Sequence, residues 1–315
     1  MSDKQQIKNN YSMLQDNDIL TIFCAFDDFF INFDQLLKAN SICASNNRIR
    51  NKPSALSPSE VMTIIVLFHS SGYRCLKHFY LYHVCVHLKH LFPKTVSYNR
   101  FVELQKQVAF PLAMFTKMFR MGRCSGISFI DSTPIRVCHN ARIHSNKVFE
   151  GIATRGHSST GWFYGFKLHL IHNDRGEVVD FQLTPANIHD NRLLKCKRFL
   201  RKIYGKLFGD KGYIVNKSIF DELFLKGIHL VTKLRRNMKS TLLTPLEDAI
   251  MLRKRAISET IIDQLKNISQ IEHTRHRSFV NFFTNILGGI LAYQFKHKKP
   301  SIYDQCIDTK QLYLA

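Results

Sequence analysis

The sequence predicts an α/β fold in which a mixed sheet flanked by helices is preceded by an all-helical N-terminal domain. Three observations carry this. Residues 15 to about 125 show helical patterning, with apolar residues at nearly every turn and capping signals in between. From Gly126 the pattern changes to apolar runs of strand character, GISFIDSTPIRVC, WFYGFKLHLIHN and EVVDFQLTPA. Beyond them, helix-like and strand-like runs alternate.

The helical part opens with a run from Ile19 to Leu37 that is apolar at nearly every turn, as a core helix is. Ser57-Pro58-Ser59-Glu60 is a capping box with proline at the first helical position, and the helix it starts, VMTIIVLFHS, stops at Gly72. A helix from about Cys75 to Leu91 ends before Pro93, a third follows Ser97 through Gln107, and a fourth precedes Gly122. After the first three strands, with Asp174-Arg175-Gly176 as a hairpin turn, IHDNRLLKCKRFLRKIY reads as helix, KLFGD as strand, IFDELFLKG as helix, HLVTKL as strand and the chain from about Glu247 as helix. Three strands, helix, strand, helix, strand, helix is the element order of a ribonuclease-H-like sheet. The expected domains are residues 1–125 (helical), 126–300 (sheet and its helices) and 301–315 (a tail).

Composition bounds the function. The 315 residues are 45% hydrophobic and 12% aromatic, enough to fill a core. Lys and Arg number 45 against 24 Asp and Glu, a formal net charge of +21. That excess exceeds what solubility needs and points to a polyanion partner, most commonly nucleic acid. The N-terminal MSDKQQIKNNYSMLQDND lacks the apolar core of a signal peptide, so a cytoplasmic location is expected. Phe279–Phe295 is short for a membrane span and carries Asn281, Thr284, Asn285 and Gln294, so it reads as a packed core helix and no membrane partner is expected. The eight cysteines show no CxxC spacing, as scattered thiols in a reducing compartment would.

Three acids stand out: Asp131 in FIDSTPI, Asp210 in LFGDKGY and Glu259 in KRAISETIIDQLKN. Asp131 interrupts an apolar strand, where an unpartnered carboxylate is costly. In the expected fold the strands carrying Asp131 and Asp210 are neighbours, and Glu259 comes from the last helix beside them. Converging carboxylates on a basic chain suit two hard divalent cations, Mg²⁺ or Mn²⁺, poised against a phosphodiester. Arg255 and Lys266 lie four residues before and seven after Glu259, on one helical face, where they would grip a phosphate; an Arg255–Glu259 pair within the helix is the plainer reading.

The segments FIDSTPI, GFKLHLIHNDRGEVVDFQLTPANIHD, LFGDKGY and the stretch from KRAISETIIDQLKN to LAYQF resemble the DDE transposases of bacterial insertion sequences, with the IS982 family as the nearest likeness. The resemblance spans nearly the whole chain, including FPKTVSYNRFVEL in the helical part. It implies a ribonuclease-H-like catalytic core with Asp131, Asp210 and Glu259 as catalytic metal ligands, two Mg²⁺ or Mn²⁺ per site, and cutting and joining of element ends. It also implies DNA as partner (the terminal inverted repeats and the target) and a homo-oligomer on DNA at the bacterial nucleoid. Arg255, Glu259 and Lys266 match the Arg, Glu and Lys of a related signature, whose tyrosine position is Leu252 here. Expected DNA contacts are Arg255, Lys266, Lys167, Lys211, Arg235, Arg236, His273, Arg275 and Arg277.

A second basic cluster, Lys195, Lys197, Arg198, Arg201, Lys202 and Lys206, precedes the Asp210 strand and suits phosphate tracking, with a solvated helix face as the bland alternative. His78, His83, His87 and His90 lack the further ligands of a zinc site and read as ordinary helix-surface histidines. His189 and Asp190 are candidates for the rim of the site; Trp162 and Tyr164 either stack on an unpaired base or pack in the core. A ribonuclease-H-like nuclease that cuts without joining, and an inactive DNA-binding repressor, are the alternative functions.

Overall fold

The computed structural model describes residues 14–39, 54–158, 161–233, 245–272 and 276–303. The chain divides into two units, Met1–Arg120 with Leu265–Phe295, and Met121–Gln264 with Lys296–Ala315.

The first unit is helical: α1 (Asp16–Ala39), α2 (Pro58–Ser70), α3 (Leu76–His78), α4 (Tyr98–Gln107), α5 (Ala109–Phe119) and the helix Phe279–Phe295. The capping box forms, with Glu60 N–H donating to Ser57 Oγ at 3.1 Å and Ser57 N–H to Glu60 Oε2 at 2.6 Å. Such a cap is worth about 1 kcal/mol. The run Val61–Phe68 is buried throughout, so α2 is a central helix. The Phe279–Phe295 helix packs on it because it carries no side chain at the crossing: a Cβ on Gly288 would stand 2.5 Å from Ile65 Cγ2. No helix among the described residues is long and apolar enough to cross a membrane. The expected Cys75–Leu91 helix changes pitch after α3, continuing as a π-helix over Phe79–His87. Its wider turn keeps Phe79, Tyr80, His83 and Val84 all on the buried side, where Tyr80 stacks on Phe101 at 4.4 Å.

The second unit is built on a sheet whose strands, among the described residues, are β1 (Ile127–Cys138), β2 (Thr154–Ser158), β3 (Gly161–Asn173), β4 (Val178–Pro185), β5 (Gly205–Gly209) and β6 (Ile228–Thr232). The order is β2-β3-β1-β5-β6, with β4 also on β3. β1, β3 and β4 are antiparallel, and β5 and β6 run parallel to β1. An antiparallel β4-β3-β1 meander extended by two parallel strands is the ribonuclease-H-like fold that the sequence predicts. Three details differ from expectation. β2, TRGHS, has no apolar alternation and forms by backbone pairing along Gly161–Gly165. IHDNRLLKCKRFLRKIY is not one helix but a 3₁₀ segment, Asp190–Lys195, and a single turn, α6 (Lys197–Leu200). The C-terminal helix breaks at Arg255 into α8 (Leu246–Lys254) and α9 (Ala256–Asp263), after α7 (Lys217–Leu225).

Alternation along the strands sorts residues to two faces. One carries Ile130, Ile171, Leu207 and Leu230, packed with Leu193, Phe199, Leu200 and Leu223 from the segments that cover it. The other carries Phe129, Phe208 and His172, with the Phe129 and His172 rings stacked at 5.2 Å and α9 against β1. Gly165 is required in β3: at φ +154° a Cβ there would stand 2.1 Å from Ile135 O.

Candidate active site

Register brings two acids together. Phe129 of β1 lies opposite Phe208 of β5 in the parallel pair, and Asp131 and Asp210 are each two residues further on. Adjacent strands are about 4.8 Å apart, so the two residues start from neighbouring positions at the end of this pair. Asp131 lies on the β1 face that α9 covers. Its Oδ1 accepts from Ser132 N–H at 2.8 Å and its Oδ2 from Arg255 Nη1 at 3.0 Å. Asp210 ends β5 and caps the turn Lys211–Tyr213, its Oδ1 accepting from Gly212 N–H at 2.7 Å.

Glu259 is exposed on α9, whose Ile257 and Ile261 are buried. The helix is tied to the sheet one residue earlier. Ser258 Oγ meets His172 Nε2 at 2.7 Å, while His172 Nδ1 is 3.0 Å from Asn173 O. The carbonyl can only accept, so Nδ1 carries the proton and Nε2 accepts from Ser258. Complete burial pushes His172 down to about 4, so the ring is neutral at pH 7.

The electrostatics report on the cluster. Burial raises Asp131 to about 6; Arg255 and Ser132 N–H oppose that rise, and the charges of Asp210 and Glu259 add to it. Three hard oxygen donors that repel one another are the donor set a divalent cation relieves. Among the described residues, no three His, Cys, Asp or Glu side chains converge tightly enough to hold a metal as they stand. The acids are gathered without being preassembled, and the guanidinium of Arg255 carries positive charge beside them.

The other candidates fall in different places. Arg255 sits at the break between α8 and α9 and pairs with Asp131, not along the helix with Glu259; its 18% exposed side chain is drawn to the buried carboxylate. Lys266 lies in a π-helical turn, Gln264–Ile268, and pairs with Glu272 at 3.0 Å. Lys167 is only 14% exposed and donates to Asp190 Oδ1 at 3.2 Å and Ile188 O at 3.0 Å. Lys211, directly after Asp210, is exposed, as is Arg277. Arg235, Arg236, His273 and Arg275 lie outside the described residues. Lys195, Lys197, Arg198, Arg201 and Lys202 are exposed, whereas Lys206 stands on β5 and pairs with the buried Asp248 at 2.6 Å. Tyr164 is a core residue with its hydroxyl on Phe149 O, whereas Trp162 is 61% exposed beside Arg155 and His157. Leu252, at the signature's tyrosine position, is buried in α8. In the first unit, burial lowers the pKa of His83, the His78 ring packs on Tyr82 at 4.6 Å, and His90 meets Asp16 at 3.0 Å.

Sequence reasoning understated Asp190 and passed over Ser132, His172 and Ser258. The legible signal was polar residues inside apolar strand runs: Ser132 next to Asp131, and His172 in KLHLIHN. Asp190 accepts from Ser132 Oγ at 3.0 Å as well as from Lys167. Beside it, His189, Asn191, Arg192, Lys195, Ile214 and Asn216 line an open cleft of about 760 Å³.

No curated protein matches the sequence. Among solved structures, a chain of the Mos1 strand transfer complex is similar at 9% identity, covering 84% of this chain and 86% of that one, with a TM-score of 0.23. That score is too low to support a shared fold, so the fold assignment rests on strand order and register. The family profile described as "Transposase DDE domain" matches residues 121–279, just over half of the chain, and includes Asp131, Asp210 and Glu259. The chain therefore belongs to the transposase DDE domain family.

Proposed function

We propose that this protein cuts and joins the ends of its own insertion sequence, of the IS982 type, by hydrolysis and transesterification at phosphodiester bonds. The observation that supports the reading is the β1–β5 register, which puts Asp131 and Asp210 each two residues past the paired Phe129 and Phe208, while the charge of Glu259 is felt at Asp131. These three carboxylates would hold two Mg²⁺ or Mn²⁺ ions, which when bound supply nucleophile activation and stabilisation of the leaving oxygen. The rest of the work falls to the chain. Arg255 keeps charge balanced at Asp131, and the His172–Ser258 link sets the helix that bears Glu259. In the first step water attacks phosphorus and the P–O3′ bond breaks, leaving a 3′-hydroxyl on the element end. In the second, that hydroxyl attacks a target phosphodiester and displaces its 3′ oxygen.

Lys211 beside Asp210, and the exposed basic residues between Lys195 and Lys202, supply positive charge for DNA phosphates; Lys266, Arg277, Arg235, Arg236, His273 and Arg275 are further phosphate contacts on this reading. The helical unit docks the terminal inverted repeats, and a homo-oligomer pairs the two ends on DNA in the bacterial cytoplasm. The test is nucleotide-resolution mapping of nicks on a linear fragment with the gene's flanking DNA, in Mg²⁺ or Mn²⁺, with Asp210→Ala as control. Nicks at the repeat boundary that need metal and Asp210, followed by joining, support the reading. Cutting without joining indicates a nuclease, and specific binding without cutting a repressor.

A further inference from the structure

Behind Asp131, on the opposite face of β1, lies a second polar cluster that the proposed chemistry does not use. Ser132, His169 and Lys167 share that face by strand alternation and register: Ser132 is opposite His169, and Lys167 is two residues before His169. Asp190 Oδ1 receives Ser132 Oγ at 3.0 Å and Lys167 Nζ at 3.2 Å, and stands 3.9 Å from His169 Nδ1. His169 is fully buried with Nε2 on Thr184 Oγ1 at 2.9 Å, and burial lowers its pKa, so it does not neutralise Asp190 at pH 7. Lys167 therefore does so.

The same carboxylate reaches the turn after Asp210. A Cβ built on Gly212 would meet Asp210 Oδ1 at 2.9 Å and Asp190 Oδ2 at 3.3 Å, so the two acids flank one glycine and any side chain there would part them. Tyr213, next in the turn, is fully buried, and its hydroxyl has no hydrogen-bond partner of good geometry. Burial, and then the charges of Asp190, Asp131 and Asp210, hold its proton well above the usual phenol range, with a hydrogen bond to Ser132 opposing.

We propose that Asp190 is a positioning residue that locks Ser132 and the Gly212–Tyr213 turn from behind, thereby setting the separation of the Asp131 and Asp210 carboxylates, with Lys167 as its dedicated counter-ion instead of a DNA contact. This rests on the reading of Asp131 and Asp210 as metal ligands. An outer group that orients ligands typically changes metal affinity or activity by about 10–100-fold.

The test is isothermal titration of the full-length protein with Mn²⁺ alone, alongside melting temperature and DNA binding. Asp190→Asn should weaken Mn²⁺ binding by about 10-fold or more. Ser132→Ala keeps the backbone N–H to Asp131 and loses only the hydroxyl link, so it should weaken Mn²⁺ binding with little change in melting temperature; it carries the test if Asp190→Asn does not fold. Lys167→Met should lower Mn²⁺ affinity and leave the salt dependence of DNA binding unchanged. Wild-type Mn²⁺ affinity in Ser132→Ala and Asp190→Asn, with loss in Asp131→Asn, overturns the proposal and leaves the function standing. Wild-type affinity in Asp131→Asn overturns the function itself, and this inference with it.

Discussion

Asp131 stands on paired backbone and Asp210 directly follows a paired strand, whereas Glu259 stands on a helix that reaches the sheet through side chains. The first two are two residues past a parallel β pair whose partners are set by main-chain hydrogen bonds. Glu259 is exposed, and the links nearest to it are side-chain ones, Ser258 on His172 and Arg255 on Asp131. One site thus has a stiff half and an adjustable half.

The sharpest way to break this comparison is to remove a sheet-borne acid. Asp210→Asn should reduce nicking at element ends by on the order of 10³-fold or more, with folding intact by circular dichroism. Next comes the helix tether. His172→Phe keeps the stack on Phe129 but strands the Ser258 hydroxyl; it should cost about 1–3 kcal/mol of stability and lower nicking about 10–100-fold. Nicking as in wild type would mean that Glu259 does not depend on this link.

Acid should separate the halves further. His172 and His69 are lowered to about 4 by burial, and His169 is lowered too. Each is less protonated folded than unfolded between about 4 and its usual 6.5, so its contribution is present above 6.5 and is lost as pH falls through that window. Asp131, raised from 3.8 to about 6, acts in the opposite sense: the folded state holds its proton more tightly, and stability falls as pH rises from about 4 to 6. Three histidines outweigh one aspartate, so the melting temperature should drop on acidification from 6.5 to 4. Asp131→Asn should steepen that drop and raise the melting temperature at pH 7, while abolishing nicking. A melting temperature flat across this range would contradict the buried, neutral state of the histidines. The smallest effect is expected at Lys266, whose pair with Glu272 is partly exposed. Lys266→Gln should change stability by less than about 1 kcal/mol and lower the salt slope of DNA binding by about one if the residue meets a phosphate.

Much of this was legible in the chain. The capping box at Ser57, the apolar core helix Phe279–Phe295, the Asp174-Arg175-Gly176 turn and the main strands follow from local pattern, because period and capping act over a few residues. The gap between strand and helix signals placed Asp131 and Asp210 at strand positions that the fold makes neighbours. β2 was not legible, since TRGHS pairs through backbone alone and its side chains carry no alternation. Nor was the break at Arg255: local propensity favours a continuous helix, and the guanidinium leaves it for a carboxylate 124 positions away.

Composition and periodicity were therefore enough to determine an α/β ribonuclease-H-like chain with a strong positive charge, because those features depend on residue type and short spacing. Which cation serves which acid was decided only by tertiary structure. Lys167 turns inward to Asp190, Arg255 to Asp131 and Lys266 to Glu272. A charge finds its partner by distance in space, and burial multiplies the preference, so a basic residue that looks free for DNA in the sequence can be committed once the sheet closes around it.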